Sequence, residues 1–116
     1  MLVSILKSKI HRATVTESKI EYEGSITIDA ALIKAARLIV GEKVLVVNLN
    51  NGARVETYVI EGGAGSGTIC VNGAAAHHFS VGELVIIMSF AQMTEEEAKV
   101  FTSTVIKVDS KNKTKG

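Results

Sequence analysis

Lys43-Val44-Leu45-Val46-Val47-Asn48 leads through Asn50-Asn51-Gly52 into Arg54-Val55-Glu56-Thr57-Tyr58-Val59-Ile60. The first run is almost continuously apolar, the pattern of a strand covered on both faces. Asn-Gly ahead of a second β-rich run is a strong short-range hairpin signal. The second run alternates, with Arg54, Glu56 and Tyr58 on one side and Val55, Thr57 and Val59 on the other. A hairpin is therefore expected in the middle of the chain, and one face of its second strand carries a cation, an acid and a phenol.

Toward the N-terminus, Leu2-Val3-Ser4-Ile5-Leu6 and Ala13-Thr14-Val15-Thr16 read as one long strand or two short ones, with Lys7, Lys9, His11 and Arg12 between them. Strand-like residues 19–23 and 26–28 flank Gly24-Ser25. Asp29 suits the N-cap of a helix from Ala30 to about Ile39, with Leu32, Ala35, Ala36 and Ile39 as its apolar stripe and Gly41 as its C-cap. Toward the C-terminus, Gly62 to Gly67 lacks the lysine of a phosphate loop and the spacing of a dinucleotide fingerprint, and it precedes a strand, so it reads as a plain loop. Ile69 to Val71 is a predicted strand and Asn72-Gly73-Ala74-Ala75-Ala76-His77 a tight turn entering a short helix. Leu84 to Phe90 follows as a strand, Thr94-Glu95-Glu96-Glu97 as a capped helix start with acids in its first turn, and Thr104 to Val108 as a last strand. Residues 110–116, ending Lys111-Asn112-Lys113-Thr114-Lys115-Gly116, are expected to form a frayed, solubilising tail. Neither a repeat nor a linker interrupts this order. One mainly β domain spanning 1–116, with two or three short helices, is the expectation, as a barrel or a sandwich.

Composition agrees with a single aliphatic core. Of 116 residues, 47% are apolar but only 4% are aromatic, so Val, Ile, Leu and Ala must fill it. Proline is absent, and no strand is interrupted by a residue unable to donate to a ladder. A net charge of +1 gives no reason to expect nucleic acid or an anionic membrane as partner. The single Cys70 alternates with apolar neighbours and reads as a buried strand residue in a reducing compartment. The N-terminal apolar run is short for a signal peptide and no run approaches a membrane span, which leads to the expectation of a cytoplasmic protein.

Candidate chemistry is sparse. The three histidines, His11, His77 and His78, have no metal-ligand spacing, so no metal is expected. A Ser-His-Asp hydrolase can be drawn from Ser25, His11 and Asp29, but Glu23 and Thr27 stand where a nucleophile elbow has its glycines. Gly-Ser occurs twice, at Gly24-Ser25 and Gly65-Ser66. At the first copy the serine hydroxyl could attack the preceding carbonyl, a step favoured by a residue without Cβ.

Lys9-Ile10-His11-Arg12, Tyr22-Glu23-Gly24-Ser25, Asn51-Gly52 with Arg54 and Thr57-Tyr58, Val71-Asn72-Gly73-Ala74-Ala75-Ala76-His77 and Val81-Gly82-Glu83 together resemble the aspartate 1-decarboxylase family in order and spacing. The likeness covers roughly residues 1 to 100. It implies a six-stranded double-psi β-barrel, a homotetramer with active sites between subunits, and a pyruvoyl enzyme made as an inactive precursor. Autocatalytic cleavage at Gly24-Ser25 would leave residues 1–24 as a β chain and 25–116 as an α chain, with Ser25 converted to a covalently bound pyruvoyl group and neither metal nor pyridoxal phosphate required. The implied reaction is decarboxylation of L-aspartate to β-alanine through a Schiff base, supplying pantothenate and coenzyme A synthesis.

The same resemblance implies the roles. Arg54 would clamp a substrate carboxylate and Lys9 the second one. Tyr58 would be the proton donor, and Thr57 would hold the Gly24 carbonyl oxygen during cleavage, although it faces away from Arg54 and Tyr58 on an ideal strand. Thr57, Gly73, Ala74 and Ala75 would contact substrate, with Asn72, His11 and Tyr22 in support, and a maturation factor would be a further partner. A non-catalytic barrel acting as an interaction module, or a hydrolase using Ser25, are the alternatives.

Overall fold

The central hairpin forms as its sequence requires. In the computed structural model, which describes residues 1–115, β4 (Lys43–Asn48) and β5 (Arg54–Gly62) pair antiparallel with Lys43 opposite Tyr58 and Val47 opposite Arg54. The connecting turn is held by its asparagines. Asn48 Oδ1 accepts from the Asn50 N–H at 2.8 Å and Asn51 Oδ1 from the Ala53 N–H at 2.8 Å, and Gly52 takes a left-handed φ of 75°. Val44, Val46, Val47 and Asn48 are buried, so β4 is covered on both faces.

The other strands are β1 (Leu2–Thr14), β2 (Glu17–Lys19), β3 (Ser25–Asp29), β6 (Ile69–Asn72), β7 (Leu84–Thr94) and β8 (Thr104–Lys107). They form one mixed sheet in the order β2-β6-β3-β5-β4-β7-β1-β8, six inner strands between two short edge strands. The sheet bends back on itself. Just past β1, the Thr16 N–H donates to the Ile69 carbonyl at 2.8 Å, and Thr16 Oγ1 accepts from the Ile69 N–H at 2.9 Å, joining the β1 end of the sheet to β6. The mainly β, barrel-like expectation holds. The core is aliphatic, built on Ile10, Val15, Ile26, Ile28, Leu32, Val46, Val59, Ile69, Val85 and Ile87, with Phe79 its one buried aromatic ring. Each such side chain stabilises the fold by about 1.5–3 kcal/mol.

Four local expectations are corrected. The predicted strand over 19–23 is instead the end of β2 followed by a turn at 20–24. The helix predicted to reach Ile39 stops early: α1 is Ala30–Ala35, Arg37 adopts a left-handed φ of 59°, and the Leu38 N–H bonds back to the Ile33 carbonyl at 2.9 Å. That closure buries Leu38 and leaves Ile39 70% exposed, outside the apolar stripe. Gly41 is no cap but carries the turn into β4, with φ 92° and its N–H bonded to the Val59 carbonyl.

The fourth correction is the tail. Asn112 is buried, and its side chain accepts from the Thr14 N–H and donates to the Thr14 and Gly67 carbonyls at 2.7–2.8 Å. Thr114 bridges to Val108, so residues 109–115 are anchored rather than frayed; Gly116 lies outside the described residues. Two helical turns match expectation. A 3-10 turn spans Ala74–His78, and α2 (Glu95–Val100) opens on a capping box between Thr94 and Glu97.

Candidate active site

Ser25 begins β3 and lies directly opposite Asn72 of β6, while Thr27 lies opposite Cys70. Residues two apart on a strand share a face, so this register gathers four polar side chains. The Asn72 amide nitrogen donates to Ser25 Oγ and to Thr27 Oγ1, both at 3.0 Å. The Cys70 thiol donates to Asn72 Oδ1 at 3.2 Å, and the Ser25 hydroxyl donates to the Glu23 carbonyl at 3.0 Å. Ser25, Cys70 and Asn72 are each 2% exposed. Burial and the nearby Glu17 push the Cys70 thiol above its ordinary range, against a smaller opposing pull from Lys19, so it remains a protonated donor.

Gly24 lies against Gly73. A Cβ on Gly73 would come within 2.7 Å of the Gly24 Cα and 2.9 Å of its nitrogen, and Gly73 has a φ of 84°. Glycine is thus required at 73 both for its backbone and for contact. At Gly24 the expectation differs from the outcome: its φ is not left-handed, and an added Cβ would meet nothing within 4 Å. The 3-10 turn after Gly73 then leaves Ala74 exposed and Ala75 half-buried beside the Asn72 strand end.

β5 runs parallel to β3, with Val59 opposite Ile26. Tyr58 and Thr57 therefore stand one and two residues back from that pair, on the strand next to Gly24-Ser25. The alternation read from sequence is present. Arg54, Glu56 and Tyr58 are exposed, whereas Val55 and Thr57 are half-buried on the opposite side. Thr57 makes no side-chain hydrogen bond to Gly24 among the described residues. Tyr22 is exposed in the 20–24 turn.

Lys9 is elsewhere. It sits on β1 opposite Met88, in a row that continues through Leu45 to Glu56, and β1 is four strands from β3 in sheet order. His11, two residues on, is half-buried beside a bulge where Arg12 takes a φ of 64°. Its burial, then the cations Lys9, Arg12 and Lys107, hold its pKa below the usual value. His11 lines a groove of about 270 Å³ with Arg12, Lys107 and Lys115.

The drawn hydrolase triad does not assemble. The Asp29 carboxylate is taken by the N–H groups of Ala31, Gly65 and Gly67 at 2.8–2.9 Å, and Ser25 by Glu23 and Asn72. The same bonds explain the glycine loop, whose donors serve Asp29. Among the described residues no group of three or more His, Cys, Asp or Glu is placed to hold a metal ion. Among the described residues no helix is long and apolar enough to cross a membrane.

Sequence reasoning missed Thr27 and Cys70 as neighbours of Ser25. Their i, i+2 spacing from Ser25 and Asn72 was readable, but the register that brings the two pairs together was not.

The aspartate decarboxylase family model matches residues 1–115. The chain is 59% identical to the aspartate 1-decarboxylase of Corynebacterium efficiens, over 97% of this chain and 83% of the relative. It is 58% identical to that of Caldicellulosiruptor saccharolyticus and 54% identical to that of Listeria monocytogenes, each over 97% of this chain and 88% of the relative. With so nearly complete a match at this identity, the chain belongs to the aspartate decarboxylase family.

Proposed function

We propose that this chain cuts itself between Gly24 and Ser25 and then decarboxylates L-aspartate to β-alanine and carbon dioxide, in the cytoplasm, as a supplier of β-alanine for pantothenate and coenzyme A. The observation that carries the proposal is Ser25 itself: a buried serine whose hydroxyl is oriented by Asn72 and Glu23 next to a glycine pressed against Gly73. A hydrolytic serine would need a base at its hydroxyl; this hydroxyl donates to a backbone carbonyl, and the Asp29 carboxylate is taken by backbone N–H groups.

Ser25 Oγ has one proton, given to the Glu23 carbonyl, and two lone pairs, one of which accepts from Asn72. The other is free to attack the Gly24 carbonyl carbon. The peptide C–N bond breaks as the Oγ–C bond forms, and the proton passes from Oγ to the Ser25 nitrogen. The resulting ester loses the residue-25 Cα proton to water and its Cβ–Oγ bond, releasing the chain 1–24 as a carboxylate. The enamine left at position 25 takes up water and loses ammonia to leave a ketone.

The residues around Ser25 fit such a group, since the Asn72 side chain offers it a donor and Gly73, without a Cβ, stands against the Gly24 that precedes it. A ketone at that position supplies the electron sink for loss of carbon dioxide that no encoded side chain has. The roles of the chain's own residues follow from their chemistry. Arg54 pairs with one aspartate carboxylate through its planar fork and Lys9 with the other as a point charge. Tyr58 delivers a proton to the carbon that lost carbon dioxide. Thr57 steadies the Gly24 carbonyl oxygen during cleavage. Gly73, Ala74 and Ala75 form the small-residue wall, with His11 and Tyr22 at its margin.

Arg54, Tyr58 and Tyr22, all given parts at the site, are exposed on the single chain. That exposure supports a homotetramer whose active sites lie between subunits. Denaturing mass spectrometry tests the proposal. Purified protein should yield two fragments split between 24 and 25, and Ser25→Ala should give one intact mass and no β-alanine. Wild-type protein that stays whole after prolonged incubation, alone and with cell extract to supply any maturation factor, overturns it; so does an active Ser25→Ala chain.

A further inference from the structure

Of the four polar side chains on the shared β3–β6 face, Cys70 does not touch Ser25 and reaches it only through Asn72. We propose that Cys70 is a positioning residue for cleavage: its thiol fixes which way the Asn72 amide points, so that the NH2 end and not the oxygen faces Ser25 Oγ. The inference rests on the reading of Ser25 as the cleaved residue.

The hydrogen-bond directions favour one arrangement. Asn72 can present either oxygen or NH2 toward Ser25, because the two ends of an amide have the same shape. Cys70 Sγ lies 3.2 Å from Asn72 Oδ1, and its S–H can donate there. The NH2 then has two acceptors at 3.0 Å, Ser25 Oγ and Thr27 Oγ1. In the flipped orientation the amide oxygen could accept from Thr27 Oγ1, but it would also face Ser25 Oγ, whose only proton is given to the Glu23 carbonyl. The NH2 would face a thiol, a weak acceptor. Among the described residues no buried side-chain nitrogen or oxygen is left without a partner in the observed arrangement. With the thiol's pKa raised by burial, its donor proton stays in place across the neutral range.

The orientation matters chemically at one step. Once the acyl group of Gly24 has moved to Ser25 Oγ, breaking the chain requires the Cβ–Oγ bond to give both electrons to oxygen as the Cα proton leaves to water. Negative charge then grows on Oγ, the atom to which Asn72 donates. A donor aimed at developing charge lowers that barrier, and an amide oxygen in its place raises it. Loss of the Cys70 donor should therefore let the amide flip and make the ester accumulate.

Volume and hydrogen bonding can be separated at this position. Cys70→Ser keeps a donor and loses volume, whereas Cys70→Val keeps apolar volume and loses the donor. Each variant is followed by denaturing mass spectrometry from first expression, with and without neutral hydroxylamine, which splits an ester but not an amide. Cys70→Ser is expected to cleave within about threefold of wild type and Cys70→Val about tenfold more slowly, the scale of one lost hydrogen bond. The uncut Cys70→Val chain should be split by hydroxylamine between 24 and 25. Cleavage of Cys70→Val at the wild-type rate, cleavage of Cys70→Ser as slow as that of Cys70→Val, or uncut Cys70→Val chain that resists hydroxylamine would each overturn the inference while wild type still divides. A wild-type chain that never divides fails the underlying reading instead.

Discussion

Asp29 ends the strand that Ser25 begins, and almost no solvent reaches it. Burial alone would raise its pKa, but N–H donors from Gly67, Ala31 and Gly65, together with the Lys113 cation, outweigh it and hold the carboxyl below its ordinary value of 3.8. A carboxylate with a depressed folded-state pKa stabilises the fold above the unfolded-state value, and that stabilisation disappears as pH falls through the folded one. Asp29→Asn, which keeps one acceptor and loses the charge, should therefore be less stable than wild type at pH 7, with the gap closing below about pH 3.8. Urea unfolding at a series of pH values checks this; a gap constant with pH would show that Asp29 acts through shape alone. The N-cap role of Asp29 was legible, since Asp before Ala-Ala-Leu is a local signal. Its hold on the glycine loop was not, because Gly65 and Gly67 lie 36 and 38 residues away in sequence.

At the scale of elements, what the sequence announced locally is present and what depended on distant pairing was hidden. The β4–β5 hairpin and the capping box of α2 rest on residues a few positions apart. The early stop of α1 turns on Arg37 occupying a conformation usually given to glycine, and no residue type marks it. Asn112 looked like part of a solvated tail because its partner Thr14 is 98 residues away. The β2–β3 turn shows the same contrast at the cleavage site. The glycine that was singled out, Gly24, has open space where a Cβ would be, whereas Gly73, placed only by the β3–β6 register, touches it. Gly73→Ala should thus cost about 1–3 kcal/mol through its backbone conformation alone. It should also displace Gly24 and slow division of the chain, while Gly24→Ala should leave thermal stability nearly unchanged. Melting curves and fragment masses on both variants test the pair, and a Gly73→Ala protein as stable as wild type would contradict the contact.

For the whole molecule, the placement of Lys9 and Ser25 raises the question of how many chains a complete site needs. Ser25 is on β3 and Lys9 on β1, with β5, β4 and β7 between them, about 19 Å measured along the sheet at ordinary strand spacing. Lys9 also pairs in a row that ends at Glu56, on the exposed side of β5 with Arg54 and Tyr58. Aspartate is shorter than that path; the other way round, across the Thr16–Ile69 junction, only β6 lies between β1 and β3. If Lys9 and Ser25 instead meet across a subunit boundary, two inactive variants can complement each other. Lys9→Ala and Ser25→Ala chains, each without activity, would generate in mixed oligomers some sites with Ser25 from the first chain and Lys9 from the second. Co-expression of the two, with a tag on each and sequential purification of the mixed species, should restore β-alanine formation that neither homogeneous preparation has. Inactive mixed oligomers that contain cleaved Lys9→Ala chains would locate both residues in one chain's site, and the path from Lys9 to Ser25 would then have to run through the closed side of the barrel, past the Thr16–Ile69 junction.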